Sequence, residues 1–160
     1  MRKTLLAAAA ILLLAATGQG ATRTFGVHGI GPRVGLSIDP DQVHFGGHLD
    51  LGDLAPQLMV FPNVEVGIGD DLTIVSPMFE LDYRFREDWG SWNPYLGGSI
   101  GPVFVSADRG RDDTELGLTL QGGIARRMTS NSGFMFLEFK LGLADYPDFR
   151  FTLGWCFGSK

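Results

Sequence analysis

The sequence predicts an all-β fold, an eight-stranded antiparallel up-and-down transmembrane β-barrel, on three observations. Apolar residues alternate with period two along eight segments separated by turn residues. The polar half of that alternation is rich in glycine, serine and alanine, poor choices for a water-facing strand surface but good fillers of a narrow interior, and it holds charges of both signs. Downstream of residue 20 no apolar run reaches the roughly 18 residues of a membrane-spanning helix, and no helical period is sustained.

The first twenty residues form a separate unit. Arg2 and Lys3 precede an apolar run from Leu5 to Ala16, and Thr17-Gly18-Gln19-Gly20-Ala21 supplies small residues for cleavage, the layout of a secretory signal peptide. Residues 1-20 are therefore expected to be removed and residues 21-160 to form one barrel domain. The leader takes two of the 13 basic residues and none of the 18 acidic ones, so the formal net charge moves from −5 to −7. With charged residues at 19% and 23 glycines among 160 residues, a disordered acidic tail and a coiled coil are both excluded. A single cysteine, Cys156, excludes a disulfide framework and a thiolate metal cluster. Lys and Arg form no cluster, which speaks against a nucleic-acid surface.

In chain order the expected strands lie near Ile30 to Asp39, Gln42 to Leu51, Gln57 to Ile68, Leu72 to Arg86, Tyr95 to Ser106, Thr114 to Arg127, Gly133 to Ala144 and Phe149 to Phe157. Turn chemistry separates them: Asp39-Pro40-Asp41, Gly52 to Pro56, Gly69-Asp70-Asp71, Gly90 to Pro94, Asp108 to Asp112, Ser130-Asn131-Ser132 and Asp145 to Asp148. Pro62, Pro77 and Pro102 fall inside strands, where each removes a ladder donor, so bulges or strand ends are expected there.

The two registers differ in composition. One carries bulky apolar side chains, among them Val34, Leu36, Val43, Phe45, Val64, Phe79, Ile100, Leu118, Leu137 and Phe151, and no charge until Arg126. The other carries Gly35, Gly46, Ser76, Gly97, Ser99, Thr119, Gly123, Thr152 and Gly154 together with the strand charges. An eight-stranded barrel has an interior just wide enough for side chains to fill, too small for the bulky register but suited to the small one. The apolar register is thus expected to face lipid. The inward charges would be costly unless paired, and Arg33, Asp50, Glu65, Glu80, Asp82, Arg84, Glu115, Arg127, Glu138, Lys140 and Arg150 are expected to form a lumen charge network that plugs the barrel. Tyr83, Phe85, Trp89, Trp92, Tyr95, Trp155 and Phe157 read as one interfacial aromatic girdle, with Phe104, Tyr146 and Phe149 near the other.

Candidate chemistry is sparse. His44, His48 and Asp50 share the inward register, but His44 and His48 stand roughly 13 Å apart along a strand, too far for one metal ion. Ser37 and His44 approach each other across the first hairpin without an acid placed to orient the histidine. No GxSxG or Walker A pattern is present. No catalytic, cofactor-binding or metal site is assigned, and the expectation is a protein without cofactor that is not an enzyme.

The leader, the segment Trp92-Asn93-Pro94-Tyr95-Leu96-Gly97-Gly98-Ser99-Ile100-Gly101 and the final strand Phe149, Phe151, Leu153, Trp155, Phe157 resemble the small eight-stranded outer-membrane β-barrel superfamily of Gram-negative bacteria, with its OmpA-, OmpX- and OmpW-type barrels. The resemblance covers about residues 28-157 and implies an outer-membrane location, an outer-membrane barrel domain over residues 21-160, and a last strand read by the outer-membrane assembly machinery. The chain departs from that family by ending in Gly158-Ser159-Lys160 after the terminal aromatic and by its short extracellular connections. The function expected is a monomeric structural or binding component of the cell envelope with a plugged lumen. The alternatives are a soluble periplasmic lipocalin-like carrier of a small apolar ligand and a lipid A-modifying enzyme. In the loop from Ser106 to Asp113, Arg109 and Arg111 are the residues assigned to lipopolysaccharide contact, because the guanidinium fork suits lipid phosphates.

Overall fold

The computed structural model describes residues 23–70, 72–86, 89–107, 112–128 and 133–158. The expected signal segment and the loop residues Arg109 and Arg111 lie outside the described residues. The strand segments are β1 (Gly29–Ile38), β2 (Gln42–Asp50), β3 (Asp53–Ala55), β4 (Leu58–Val60), β5 (Asn63–Ile68), β6 (Leu72–Arg84), β7 (Asn93–Ala107), β8 (Asp113–Arg127), β9 (Gly133–Ala144) and β10 (Phe149–Gly158). They form a single antiparallel sheet in which β1 pairs with β10 and β6 with β7. The sheet therefore closes on itself.

These segments build eight barrel strands. Both β4 and β5 pair with β6, through Val60↔Leu81 and Asn63↔Met78, so they are halves of one strand interrupted at Phe61-Pro62. Across from them, β2 runs past Asp50 into β3, with the Leu51 amide donating to the Val60 carbonyl and the Val60 amide to the Gly52 carbonyl. Gly52, at φ 81°, makes the bend in a region that side chains disfavour. At this edge of the barrel, residues 23–28 run alongside, with the His28 amide bonding the Asp50 carbonyl at 2.8 Å and the Gly26 amide the Leu51 carbonyl at 3.0 Å.

Of the bulges or strand ends expected at the three prolines, Pro62 falls at a strand end, whereas Pro77 and Pro102 mark neither. β6 and β7 keep one register on both sides of the two prolines, from Val75↔Phe104 to Phe79↔Ile100, with no pairing between. Pro77 and Pro102 occupy corresponding positions of that gap, so the two missing donors share one interruption and no extra residue is inserted.

Burial is inverted relative to a water-soluble barrel. Ile30, Leu36, Ile38, Val43, Phe45, Leu116, Phe151 and Phe157 are exposed, while Arg33, His44, Glu65, Glu80, Asp82, Glu138, Lys140 and Arg150 are buried. Two apolar clusters also sit inside. Met59, Phe61, Tyr95, Phe136 and Cys156 gather toward the terminal end, where β1 begins and β10 ends, and Ile74, Met78, Val103 and Tyr146 gather toward the opposite, loop end. Tyr95 and Tyr146 therefore leave the aromatic girdles expected for them. Tyr95 shares the parity of Gly97 and Ser99, which points it into the lumen.

Candidate functional site

Between the apolar clusters lies an ionic layer drawn from separate walls of the barrel. β1 supplies Arg33, β5 Glu65, β6 Glu80, β9 Glu138 and Lys140, and β10 Arg150. Glu65 is the hub: its Oε1 lies 3.0 Å from Arg33 Nη1 and 3.9 Å from Lys140 Nζ, and its Oε2 lies 2.6 Å from Arg150 Nη1. Lys140 Nζ is 2.8 Å from Glu80 Oε2 and 3.5 Å from Glu138 Oε1, and Arg33 reaches the same two acids at 3.6 and 3.7 Å. The side chains in these pairs are at most 1% exposed. In so dry a setting, ionic charge is tolerated only where opposite charges and hydrogen bonds replace water.

Neutral side chains tie this layer to the clusters on either side. The Tyr95 hydroxyl donates to Glu138 at 2.9 Å and the Asn63 amide to Glu80 at 2.9 Å. Arg150 Nη1 donates to the Tyr146 hydroxyl at 2.9 Å, and its guanidinium lies 4.6 Å from the Tyr146 ring centroid. Arg33 sits over Phe136 and Phe61, at 5.2 and 5.5 Å from the ring centroids, a cation–π contact on the terminal side. Local sequence makes the room. The register partners of Arg33 are Gly46 on β2 and Gly154 on β10, and a Cβ at Gly154 would lie 2.2 Å from the Phe136 ring.

The remaining charges assigned to the lumen divide into three groups. Asp82 is buried but makes no ion pair among the described residues; it accepts a hydrogen bond from Gln121 at 3.0 Å. Asp50 and Arg84 belong to a second cluster at the terminal mouth, where Arg23 bridges Asp50 at 2.6 Å and Asp53 at 3.4 Å, and Arg84 bridges Asp53. Partial burial works against the charge on Arg23, but the hydrogen bond and field of Asp50, with Asp53, outweigh it and hold its pKa above the usual value. Glu115 and Arg127 are exposed and stand apart from the network. Their parity is inward, yet each lies near an end of β8, where the strand has passed the packed interior. Arg23, Asp53, Asn63, Gln121 and Tyr95 were not singled out as lumen partners from the sequence. Parity identifies Asn63, Gln121 and Tyr95, whereas Asp53 falls in the expected turn Gly52 to Pro56, which the structure makes the short strand β3, and Arg23 precedes the first strand, so parity gives no guide to either.

His44 lies between two hydroxyls, with Nδ1 3.3 Å from Ser37 Oγ and Nε2 3.0 Å from Thr152 Oγ1. Ser37 and His44 do meet, but the second ring nitrogen faces a threonine instead of an acid, and all three residues are buried. His48 stacks on Phe61 at 4.4 Å between centroids. The two histidines thus bind different neighbours.

No family model and no curated protein sequence matches the chain. Solved structures that share its fold, that of outer-membrane β-barrels, include the following two. The N-terminal β-barrel domain of Pseudomonas aeruginosa OprF aligns with 84% of this chain and 99% of its own length, at 13% identity and a TM-score of 0.59. Neisserial surface protein A (NspA) aligns with 87% of this chain and 99% of its own, at 15% identity and a TM-score of 0.61. The all-β class and the closed eight-stranded antiparallel barrel read from the sequence are those of the structure.

Proposed function

We propose that this chain is an integral protein of the Gram-negative outer membrane whose lumen is closed by paired charge, and that it serves as a structural or binding component of the envelope. One observation carries the reading: the wall is apolar outside and ionic inside. Exposed Ile30, Leu36, Phe45 and Phe151 would aggregate in water but suit a hydrocarbon band, while the layer around Glu65 occupies the space a conducting path would need. The same inversion disfavours the soluble carrier, which needs its apolar face inward around a ligand. Residues 1-20 would direct export, the last strand would be read by the assembly machinery, and Arg109 and Arg111 would meet lipopolysaccharide phosphates at the loop end. The test is fractionation of cells expressing the chain, with electrophoresis of heated and unheated samples. The outer-membrane pellet should hold it and heating should shift its mobility; release with soluble periplasmic contents would refute the reading. For the loop, lipopolysaccharide in liposomes should raise the thermal stability of wild type more than that of the R109A/R111A double variant, and equal gains would remove the contact.

A further inference from the structure

We propose that the outer wall holds one glycerophospholipid at the end where β1 begins and β10 ends, opposite the loop end read above as meeting lipopolysaccharide and so in the periplasmic-facing leaflet, its acyl chain in a groove over Gly122 and its phosphate on Arg126; the site rests on the outer-membrane reading above. The groove is about 540 Å³ and is lined by Phe85, Trp89, Leu96, Ile124, Leu137 and Phe139, with Gly122 and Gly123 between its walls. That volume lies within the roughly 300–1,000 Å³ of small-molecule sites. Gly122 falls in the outward register between Leu120 and Ile124, with Leu96 and Phe139 as its neighbours on the adjacent strands, so a missing side chain opens a hollow among bulky residues.

What distinguishes this hollow from the rest of the apolar wall is the charge below it. Arg126 continues the outward register of Gly122 and Ile124, the first charge to do so, and is exposed beside Met135. Its guanidinium lies 5.9 Å from the centroid of the Trp92 ring, which fixes it at the level of the β6–β7 turn. Trp89 and Trp92 are bridged across that turn, placing two indoles at one height, where such rings sit among headgroups. From Gly122 to Arg126 the strand rises roughly 13 Å, which sets the chain in the apolar band and the phosphate at its edge. A guanidinium donates two parallel hydrogen bonds to a phosphate, and the lipid meets both features at once.

A substitution can fill this groove while sparing the barrel. A Cβ at Gly122 would lie 3.5 Å from Leu96 Cδ1 and 3.6 Å from the Tyr95 carbonyl oxygen, ordinary contacts. The control is Gly47, outward on β2, where a Cβ would meet just the Gly31 carbonyl oxygen at 3.6 Å. The full chain, extracted in a non-ionic detergent, is titrated with dioleoyl phosphatidylglycerol and read by native mass spectrometry, with the heat-dependent mobility shift confirming that each variant is folded. Wild type and Gly47→Leu should retain one phospholipid, whereas Gly122→Leu and Arg126→Gln should each lose at least tenfold in occupancy. Dioleoylglycerol, which lacks the phosphate, should bind weakly to wild type, and inorganic phosphate should not compete. Equal retention by all four proteins, or a second copy of the chain in place of the lipid, would overturn the site. The outer-membrane reading fails separately, by fractionation.

Discussion

Glu65 pairs with Arg33, Arg150 and Lys140, so its loss strands Arg150, which has no other ion pair among the described residues, and leaves Arg33 and Lys140 to share Glu80 and Glu138. Breaking a buried pair on one side costs about 3 to 5 kcal/mol, and Glu65→Ala should fall in or above that range in urea titrations of the detergent-folded barrel. Glu138→Ala should cost about 3 kcal/mol, because Tyr95 and Lys140 lose a partner but Lys140 keeps Glu80. Asp82 gives the opposite sign. It has no ion pair among the described residues and shares its surroundings with Glu80 and Glu138, whose carboxylate oxygens approach within 4.8 Å. Asp82→Asn keeps an oxygen for Gln121 and removes the like charge, so stability should stay level or rise by up to about 1 kcal/mol. A loss as large as that of Glu65→Ala would show that the Asp82 charge is itself compensated.

The strands were legible in the sequence because side-chain direction in a sheet repeats every two residues, and the composition of each face then shows which way it points. Val34, Leu36, Val43 and Phe45 on one face, against Arg33, Ser37 and His44 on the other, fix the register of the first hairpin; a shift by one residue would exchange the faces. Parity gives direction but not height. Glu115 and Arg127 therefore share the direction of Glu138 without its burial, and Tyr95 was read by residue type although its position already aimed it inward. The split of one strand at Phe61-Pro62 was announced by the proline, but nothing local indicated that Pro77 and Pro102 occupy corresponding positions of adjacent strands. Outward positions on β8 and β9 offer the direct test. Leu118→Arg or Leu137→Arg should destabilise the barrel in lipid by about 2 to 4 kcal/mol, as an arginine near mid-bilayer does. Thr119→Ser, on the inward face beside Leu118, should change stability far less. Folding yields in vesicles equal to wild type for both arginine variants would show that this wall does not face hydrocarbon.

Across the whole molecule the apolar clusters and the ionic layer divide the lumen, and each is anchored to the next: Arg33 lies over Phe61 and Phe136, and Arg150 against Tyr146. That layering has a consequence for ion flow. An ion passing along the axis must separate pairs such as Arg150–Glu65, at 2.6 Å, within a wall that gives them little water in exchange. The mouth cluster of Arg23, Asp50, Asp53 and Arg84 places a further set of paired charges at the terminal end. Wild-type protein in planar bilayers should therefore show no stable conductance steps. Glu65→Ala combined with Arg150→Ala removes both members of the shortest pair in the layer, leaves Arg33 and Lys140 with Glu80 and Glu138, and opens space between the two clusters. If the ionic layer is the barrier, the double variant should conduct while the mouth variant Arg84→Gln, in which Asp53 keeps Arg23, stays closed. Steady conductance by wild type would mean that the layer opens in the membrane. A silent double variant would move the barrier to the aromatic cluster of Phe61 and Phe136, where adding Phe136→Ala is the next step.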